Sequence, residues 1–295
     1  MLTRRTDLAL EAHSLWQAAA KDPSLKGLSI STTNCFSFSV TQVRVESKSA
    51  AKALGKPIGT YVTLDLQSLH TAQECTEDRA AKALGHELRA LLPKTVESAL
   101  LVGLGNRAMT PDAIGPKCTG HVTATRHLMQ HNAFQSLTSV SILTPGVLGT
   151  TGMEAAELVR GAAETVRPDV IVVVDALCSQ RLSRVCTTVQ LSDTGIVPGS
   201  GVGNHRSALT QETIGVPVIA VGVPTVVDAA TLTMDVLEEA GITSLEPEAL
   251  RGHNGVTVTL RDIDAQVDRL SRLTGLGIGL ALQPSLSLSD VKALL

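Results

Sequence analysis

A short, wholly apolar run that stops at a glycine-rich turn and a helix start leaves a chain few ways to fold. Residues 99–116 make that pattern here. Ala99-Leu-Leu-Val102 reads as a buried strand. Gly103 and Gly105 then allow a sharp turn or a close backbone approach. Thr110-Pro111 reads as a helix start, with Thr110 as N-cap and Pro111 at the first helical position. Asp112 falls in that first turn, just past the carboxyl end of the strand, where open α/β sheets bind their ligands. A first-turn aspartate is also favoured by the helix dipole alone, so its position does not by itself make it functional.

The pattern recurs. Val170-Ile-Val-Val-Val174 is the most buried-looking strand, and it ends on Asp175. Val140–Leu143, residues 184–190, 216–222 and 256–260 read as further strands. Helices are expected over 71–92, ending at Pro93, and over roughly 117–131, 225–240 and 262–282. A further helix follows Thr150-Thr-Gly152, with Thr151 and Glu154 as its capping box. Upstream, Phe36 to Val45 alternates as a half-buried strand with a bulge expected near Thr41-Gln42, and Tyr61–Leu66 alternates again. Residues 1–15 read as an arm. Strands alternating with helices imply an α/β fold: a mostly parallel sheet with helices on both faces and additional strands toward the N-terminus.

Composition limits the function. Trp16, Phe36, Phe38, Tyr61 and Phe134 are the only aromatic residues besides histidine, and the net charge is −3. A base-stacking surface and an electrostatic footprint for nucleic acid are both missing. The five cysteines (Cys35, Cys75, Cys118, Cys178 and Cys186) show no C-x-x-C spacing, which fits a reducing cytosol rather than a zinc site or disulfide framework. No apolar run has the length of a membrane span, and Asp7 and Glu11 interrupt any secretory signal. A cytoplasmic protein is expected.

Asp112 and Asp175 thus share an address at one edge of a parallel sheet. Two carboxylates facing across a crevice cannot ionise independently, so one can activate water while the other donates a proton. On this reading Asp112 is the base and Asp175, behind five β-branched residues, the acid. A structural aspartate capping a turn is the alternative for Asp175. Asp193-Thr-Gly195 matches the tripeptide of pepsin-like proteases, but occurs once and in an α/β context. The loop Pro198-Gly-Ser-Gly-Val-Gly-Asn204 has the composition to wrap a ligand, but lacks the spacing of a nucleotide site. His127 and His131, four apart, are a histidine pair without a third ligand. Cys178 reads as small buried filler rather than a nucleophile.

Longer motifs add a resemblance. Thr6-Asp-Leu-Ala-Leu-Glu-Ala12, Gly103-Leu-Gly-Asn106 with Thr110-Pro-Asp-Ala-Ile-Gly-Pro116, Pro145-Gly-Val-Leu-Gly149, Val174-Asp-Ala-Leu177, Ser192-Asp-Thr-Gly-Ile196, the 198–204 loop and Gly222-Val-Pro-Thr-Val-Val-Asp228 resemble the germination proteases of spore-forming bacteria. The resemblance runs from residue 4 to Gln283-Pro-Ser-Leu286. It implies a cytoplasmic endopeptidase of the spore core, with a fold related to the hydrogenase maturation proteases, that degrades small acid-soluble spore proteins. It also implies a homotetramer, a zymogen that removes its own N-terminal segment, and an atypical aspartic mechanism with no cofactor or obligatory metal. The family's catalytic aspartates fall on Asp112 and Asp175. Gly105, Asn106, Asp193, Gly199, Ser200 and Gly201 are candidates for shaping the site or holding substrate. Thr6–Glu11 mimics the substrates, which places self-cleavage between Leu8 and Ala9, with 1–8 as pro-segment and 9–295 as one α/β protease domain. A pro-segment of eight residues is short, and Cys178 stands where a smaller residue is expected. Competing readings are a metal-dependent maturation-type protease and a peptide-binding relative without catalysis.

Overall fold

A computed structural model describes residues 4–20, 25–71, 76–200, 206–242 and 255–295. Its frame is one mixed sheet. The strands are β1 (Leu28–Cys35), β2 (Phe38–Val45), β3 (Gly59–Asp65), β4 (Ser98–Gly103), β5 (Ser139–Leu143), β6 (Val170–Ser179), β7 (Thr188–Ser192), β8 (Val218–Asp228) and β9 (Thr257–Val258). Their order is β1-β2-β3-β7-β8-β6-β4-β5, with β9 on β8. Pairing is parallel within β5-β4-β6-β8 and antiparallel elsewhere. The parallel core and the added strands before it are therefore both present, and the additions are antiparallel.

Helices cover both faces of the core, and this explains why β4 and β6 are apolar without alternation. Leu101, Val170, Val172 and Val174 pack toward α3 (Thr76–Leu91) and α9 (Ile263–Leu282). Leu100, Val102, Ile171 and Val173 cluster with Ala156, Val159 and Ala163 of α6 (Ala155–Val166) on the other face. The two long helices of the first face touch through small residues. A Cβ on Gly277 would meet the Leu84 side chain at 2.7 Å, and one on Gly85 would lie 2.9 Å from the Gly277 carbonyl oxygen.

Several local expectations are corrected. The pairing of β2 is continuous, so it has no bulge at Thr41-Gln42. Phe38 and Val40 join the main core while Val43 and Val45 join a smaller cluster with Ala9, Ala50 and Tyr61, so one strand buries opposite faces at its two ends. The helix expected over 117–131 is α4 (Ile114–Cys118) followed by 3-10 turns at Thr119–His121 and Arg126–Gln130. Its continuation is lost because Thr125 bonds to the β5 edge instead: its Oγ1 donates to Thr138 O and accepts from Val140 N. Thr151 does not cap α6. It ends the short α5 (Leu148–Thr151), Gly152 turns left-handed at φ 71°, and Glu154 N donates to Glu157 at the true helix start. The N-terminal arm contains a helix, α1 (Ala9–Ala19), and Leu8 and Ala9 are fully buried. Residues 72–75, at the start of the helix expected over 71–92 and including Cys75, lie outside the described residues.

Candidate active site

The backbone around Asp112 is built by close approach. Leu104 N donates to Val174 O at 2.8 Å, which holds the turn after β4 against β6. A Cβ on Gly115 would lie 2.2 Å from Leu104 O and 2.6 Å from Val174 O, so only glycine lets α4 begin there. Gly105 has φ +109°, and its Cβ would fall 2.0 Å from the Asp112 carbonyl oxygen. The turn that results aims Asn106 N at Asp112 Oδ2, 2.8 Å away. Thr110 is not an N-cap. Met109 precedes a single 3-10 turn, Thr110–Asp112, and Thr110 Oγ1 donates to Asp264 Oδ1 at 2.7 Å. Burial raises the Asp112 carboxyl, and the Asn106 N–H pulls it back. The expected preference for the anion at a helix start is thus outweighed by burial.

Asp175 does not end its strand, since β6 runs on to Ser179. It reaches the crevice because its neighbour ends first. The last β4–β6 pair is Gly103 with Val174, so Asp175 is the first β6 residue past the end of β4. On its other side it pairs with Gly222 of β8. The carboxyl is 5% exposed and held well above its ordinary value, first by burial, then by the charges of Asp112 and Asp7, with the Ala176 N–H opposing. Asp112 and Asp175 line one cleft of about 600 Å³, together with Gly105, Asn106, Met109 and Gly199. The charge of Asp112 is thus one of the causes, after burial, that push the deeper Asp175 toward its protonated form.

The N-terminal segment enters the same cleft. Asp7 lines it, beside Cys178. Asp7 N donates to Cys178 O at 2.8 Å, and Cys178 N and Ser200 Oγ donate to the two Asp7 carboxylate oxygens at 2.9 Å each. Four residues on, the buried Glu11 accepts from Gln180 N and Arg181 N at 2.7 and 3.1 Å and from Thr6 Oγ1, with Arg184 3.5 Å away. Arg5 faces Asp228 at 3.6 Å, and Arg4 pairs with Asp235 and Glu238. Residues 4–11 thus form a strap tied across the carboxyl ends of β6 and β8. Its reach into the cleft is not visible in sequence spacing. The only hint was the motif Thr6–Glu11, read there as a cleavage site.

The other candidates separate. Asp193 is structural: its Oδ1 accepts from Thr60 N at 2.7 Å, joining β7 to β3, and it does not line the cleft. Gly195 is left-handed (φ 71°), with Leu209 O 2.1 Å from where a Cβ would be. Gly199 lines the cleft, Ser200 holds Asp7, and Gly201 lies outside the described residues. Cys178 is buried, and burial with nearby Asp7 pushes its thiol up to about 12, which keeps it an inert thiol. His127 and His131 sit on a 3-10 turn and its end rather than on one helix face. No histidine among the described residues lines the cleft, so those residues do not make the carboxylate-plus-histidine ligand set of a maturation-type metal site. Among the described residues the group with metal-ligating spacing is Cys35, His86 and Glu87, none of which lines the cleft.

Comparison with known proteins decides the family. The family model for germination protease matches residues 7–240. The chain belongs to the germination protease family. It is 38% identical to the germination protease of Caldanaerobacter subterraneus subsp. tengcongensis, over 99% of this chain and 98% of that one. It is also 38% identical to that of Clostridium tetani, over 99% of each. The Geobacillus sp. member is 39% identical over 81% of this chain and 67% of its own. Family membership makes the chain a peptidase. Among solved structures, a [NiFe] hydrogenase maturation protease, HycI from Thermococcus kodakarensis, aligns over 65% of this chain and 98% of its own, with TM-score 0.37 and 18% identity. That likeness is too distant to carry an argument about the chemistry.

Proposed function

We propose that the chain is an atypical aspartic endopeptidase in which Asp112 and Asp175 activate water. The observation that supports this most is the meeting of two carboxyls in one cleft, Asp175 on β6 and Asp112 on the turn that follows the neighbouring β4, with the deeper one driven toward its protonated form. Asp112, less buried and steadied as an anion by the Asn106 N–H, takes a proton from water. The hydroxide adds to the scissile carbonyl carbon while Asp175 donates its proton to the carbonyl oxygen. Collapse of the tetrahedral intermediate breaks the C–N bond. The proton on Asp112 passes to the leaving nitrogen, and the proton lent to the oxygen returns to Asp175.

The finer parts of this proposal rest on the sequence resemblance. The substrates are small acid-soluble spore proteins, the compartment is the spore-core cytoplasm, and the enzyme works as a homotetramer. Residues 9–295 act as one protease domain, and 1–8 form a pro-segment removed between Leu8 and Ala9. In the uncut chain that bond is buried, with Ala9 N donating to Gln190 Oε1 at 2.7 Å, so the strap must lift before it is cut. The test is cleavage of a peptide spanning residues 3–14, read by mass spectrometry with wild type beside Asp112→Asn, with and without chelator. A cut after Leu8 that needs Asp112 and ignores chelator is the expected result. Cleavage lost to chelator, or retained in Asp112→Asn, overturns the dyad.

A further inference from the structure

Away from the cleft, the β1–β2 hairpin brings a thiol onto helix α3. Cys35 ends β1, and the two-residue turn Phe36-Ser37 returns the chain into β2, with Cys35 paired to Phe38. Both turn residues are left-handed, with φ 49° and 75°. A tight hairpin needs that twist, but Asn-Gly usually supplies it and a bulky residue rarely does. The Phe36 ring meets the His86 ring of α3 edge-on, with centroids 6.4 Å apart, so the hairpin tip rests on the helix at this residue. Cys35 Sγ then lies 3.6 Å from His86 Nδ1, and Glu87 Oε1 lies 3.1 Å from the same nitrogen. Cys35 and Glu87 are half-buried, and His86 is exposed. Cys35 and His86 are 51 residues apart in the chain, so no C-x-x-C spacing marks the group.

The shared nitrogen argues against two simpler roles. In a thiol–imidazole–carboxylate relay, the nucleophile and the orienting carboxylate sit on opposite ring nitrogens. Here both face Nδ1. A purely hydrogen-bonded trio is also poorly served. Nδ1 carries either one N–H or one lone pair, so it cannot make a full hydrogen bond to the thiol and to the carboxylate at once. A cation between them would take a lone pair from each of the three atoms, which all lie within 4.8 Å of one another. Tetrahedral Zn2+, with bonds of about 2.3 Å to sulfur and about 2.1 Å to nitrogen and oxygen, sets S···N and N···O edges of about 3.6 and about 3.4 Å. The first edge matches the 3.6 Å seen here, and a small turn of the exposed His86 ring opens the second from 3.1 Å. One sulfur, one imidazole and one carboxylate suit zinc, whereas Ca2+ and Mg2+ take oxygen ligands. Partial burial and the Glu87 carboxylate hold the thiol up to about 11, so a metal that takes it as thiolate displaces a proton.

We infer that Cys35 Sγ, His86 Nδ1 and Glu87 Oε1 bind one Zn2+ ion, with the fourth position open to water, and that the ion ties the β1–β2 hairpin to α3. None of the three residues lines the cleft of the dyad, so this site is separate from peptide cleavage. The full chain, washed with chelator, is titrated with Zn2+ against a chromophoric chelator, and with Co2+ followed by absorption. One Zn2+ binds per chain, and Co2+ gives the thiolate-to-metal charge-transfer absorption of a cysteine ligand. Cys35→Ser removes that absorption. Cys35→Ser and His86→Gln each weaken Zn2+ binding by roughly 100-fold or more, since losing even the partners of metal ligands costs 10- to 100-fold. His86→Gln alters an exposed side chain, so the result does not hang on the folding of the cysteine variant. Amide exchange from Cys35 to Phe38 slows when Zn2+ is added to wild type and does not in Cys35→Ser. No stoichiometric binding, a charge-transfer band that survives Cys35→Ser, unweakened binding in His86→Gln, or displacement of the ion by equimolar Mg2+ or Ca2+ overturns the site. Exchange at the hairpin tip that ignores Zn2+ overturns the tie.

Discussion

One residue type in two settings makes the proposed catalytic pair. Asp112 is partly open and has a backbone N–H on its carboxylate, whereas Asp175 is buried and looks at two other negative charges. Asp112→Asn and Asp175→Asn should each reduce peptide cleavage by about 10³-fold or more with the circular dichroism unchanged, since a base or an acid is removed without loss of volume. Full activity in either variant would sink the pair. Asp193→Asn supplies the control. Asn keeps an oxygen for Thr60 N, so activity should stay within a few-fold and stability within about 1 kcal/mol. If Asp193→Asn alone abolished activity, the Asp-Thr-Gly tripeptide would become the catalytic candidate. Gly105→Ala should act through Asp112 without touching its carboxylate. A methyl 2.0 Å from the Asp112 carbonyl oxygen, at φ +109°, must displace the turn. Loss of activity on the order of 100-fold or more is expected, checked against the melting temperature to separate displacement from unfolding.

At the scale of elements, the strap is the least expected piece. Glu11 is buried, accepts two backbone N–H groups from the end of β6 and faces Arg184. Glu11→Ala strands these donors, which should cost about 2–4 kcal/mol by chemical denaturation. Amide exchange should speed up at Gln180 and Arg181 in particular; unchanged exchange there would mean that the strap is held elsewhere. What the sequence revealed and what it hid follow the same physics. The strands β4 and β6 were legible because burial on both faces writes a continuous apolar run, and the helix α9 because its apolar residues recur at helical spacing. The carboxylates were legible because they follow such runs. The true end of β6 was not, because it is set by where β4 stops. The break after Cys118 was hidden in the same way, since Thr125 commits to β5. Gln190 is a single polar residue in a strand, with no local pattern to mark it, and its bond to Ala9 N exists only because residues 4–11 cross the sheet.

For the whole molecule, the cleft sets how stability responds to pH. The carboxyls of Glu11, Asp112 and Asp175 are all raised, burial being the first cause in each. A raised carboxyl binds its proton more tightly in the folded chain than in the unfolded one. Its contribution is therefore fully present below the unfolded value of about 4 and is lost as pH rises through the folded value. His13 and His121, lowered by burial, act with the opposite sign near pH 6. The paired Glu77, lowered by Arg269 and Arg272 despite partial burial, loses its contribution only as pH falls through its depressed folded value. Wild type alone thus mixes these slopes, and the difference between wild type and Asp175→Asn isolates the buried carboxyl. Asn cannot ionise, so the variant should gain stability relative to wild type as pH rises from 5 to 8. The gain is bounded at about 1.4 kcal/mol per pH unit for one proton. Denaturant midpoints of the two proteins at matched pH measure it. A difference independent of pH would mean that Asp175 is equally ionised in the folded and unfolded chain, and the assignment of the acid would pass to Asp112.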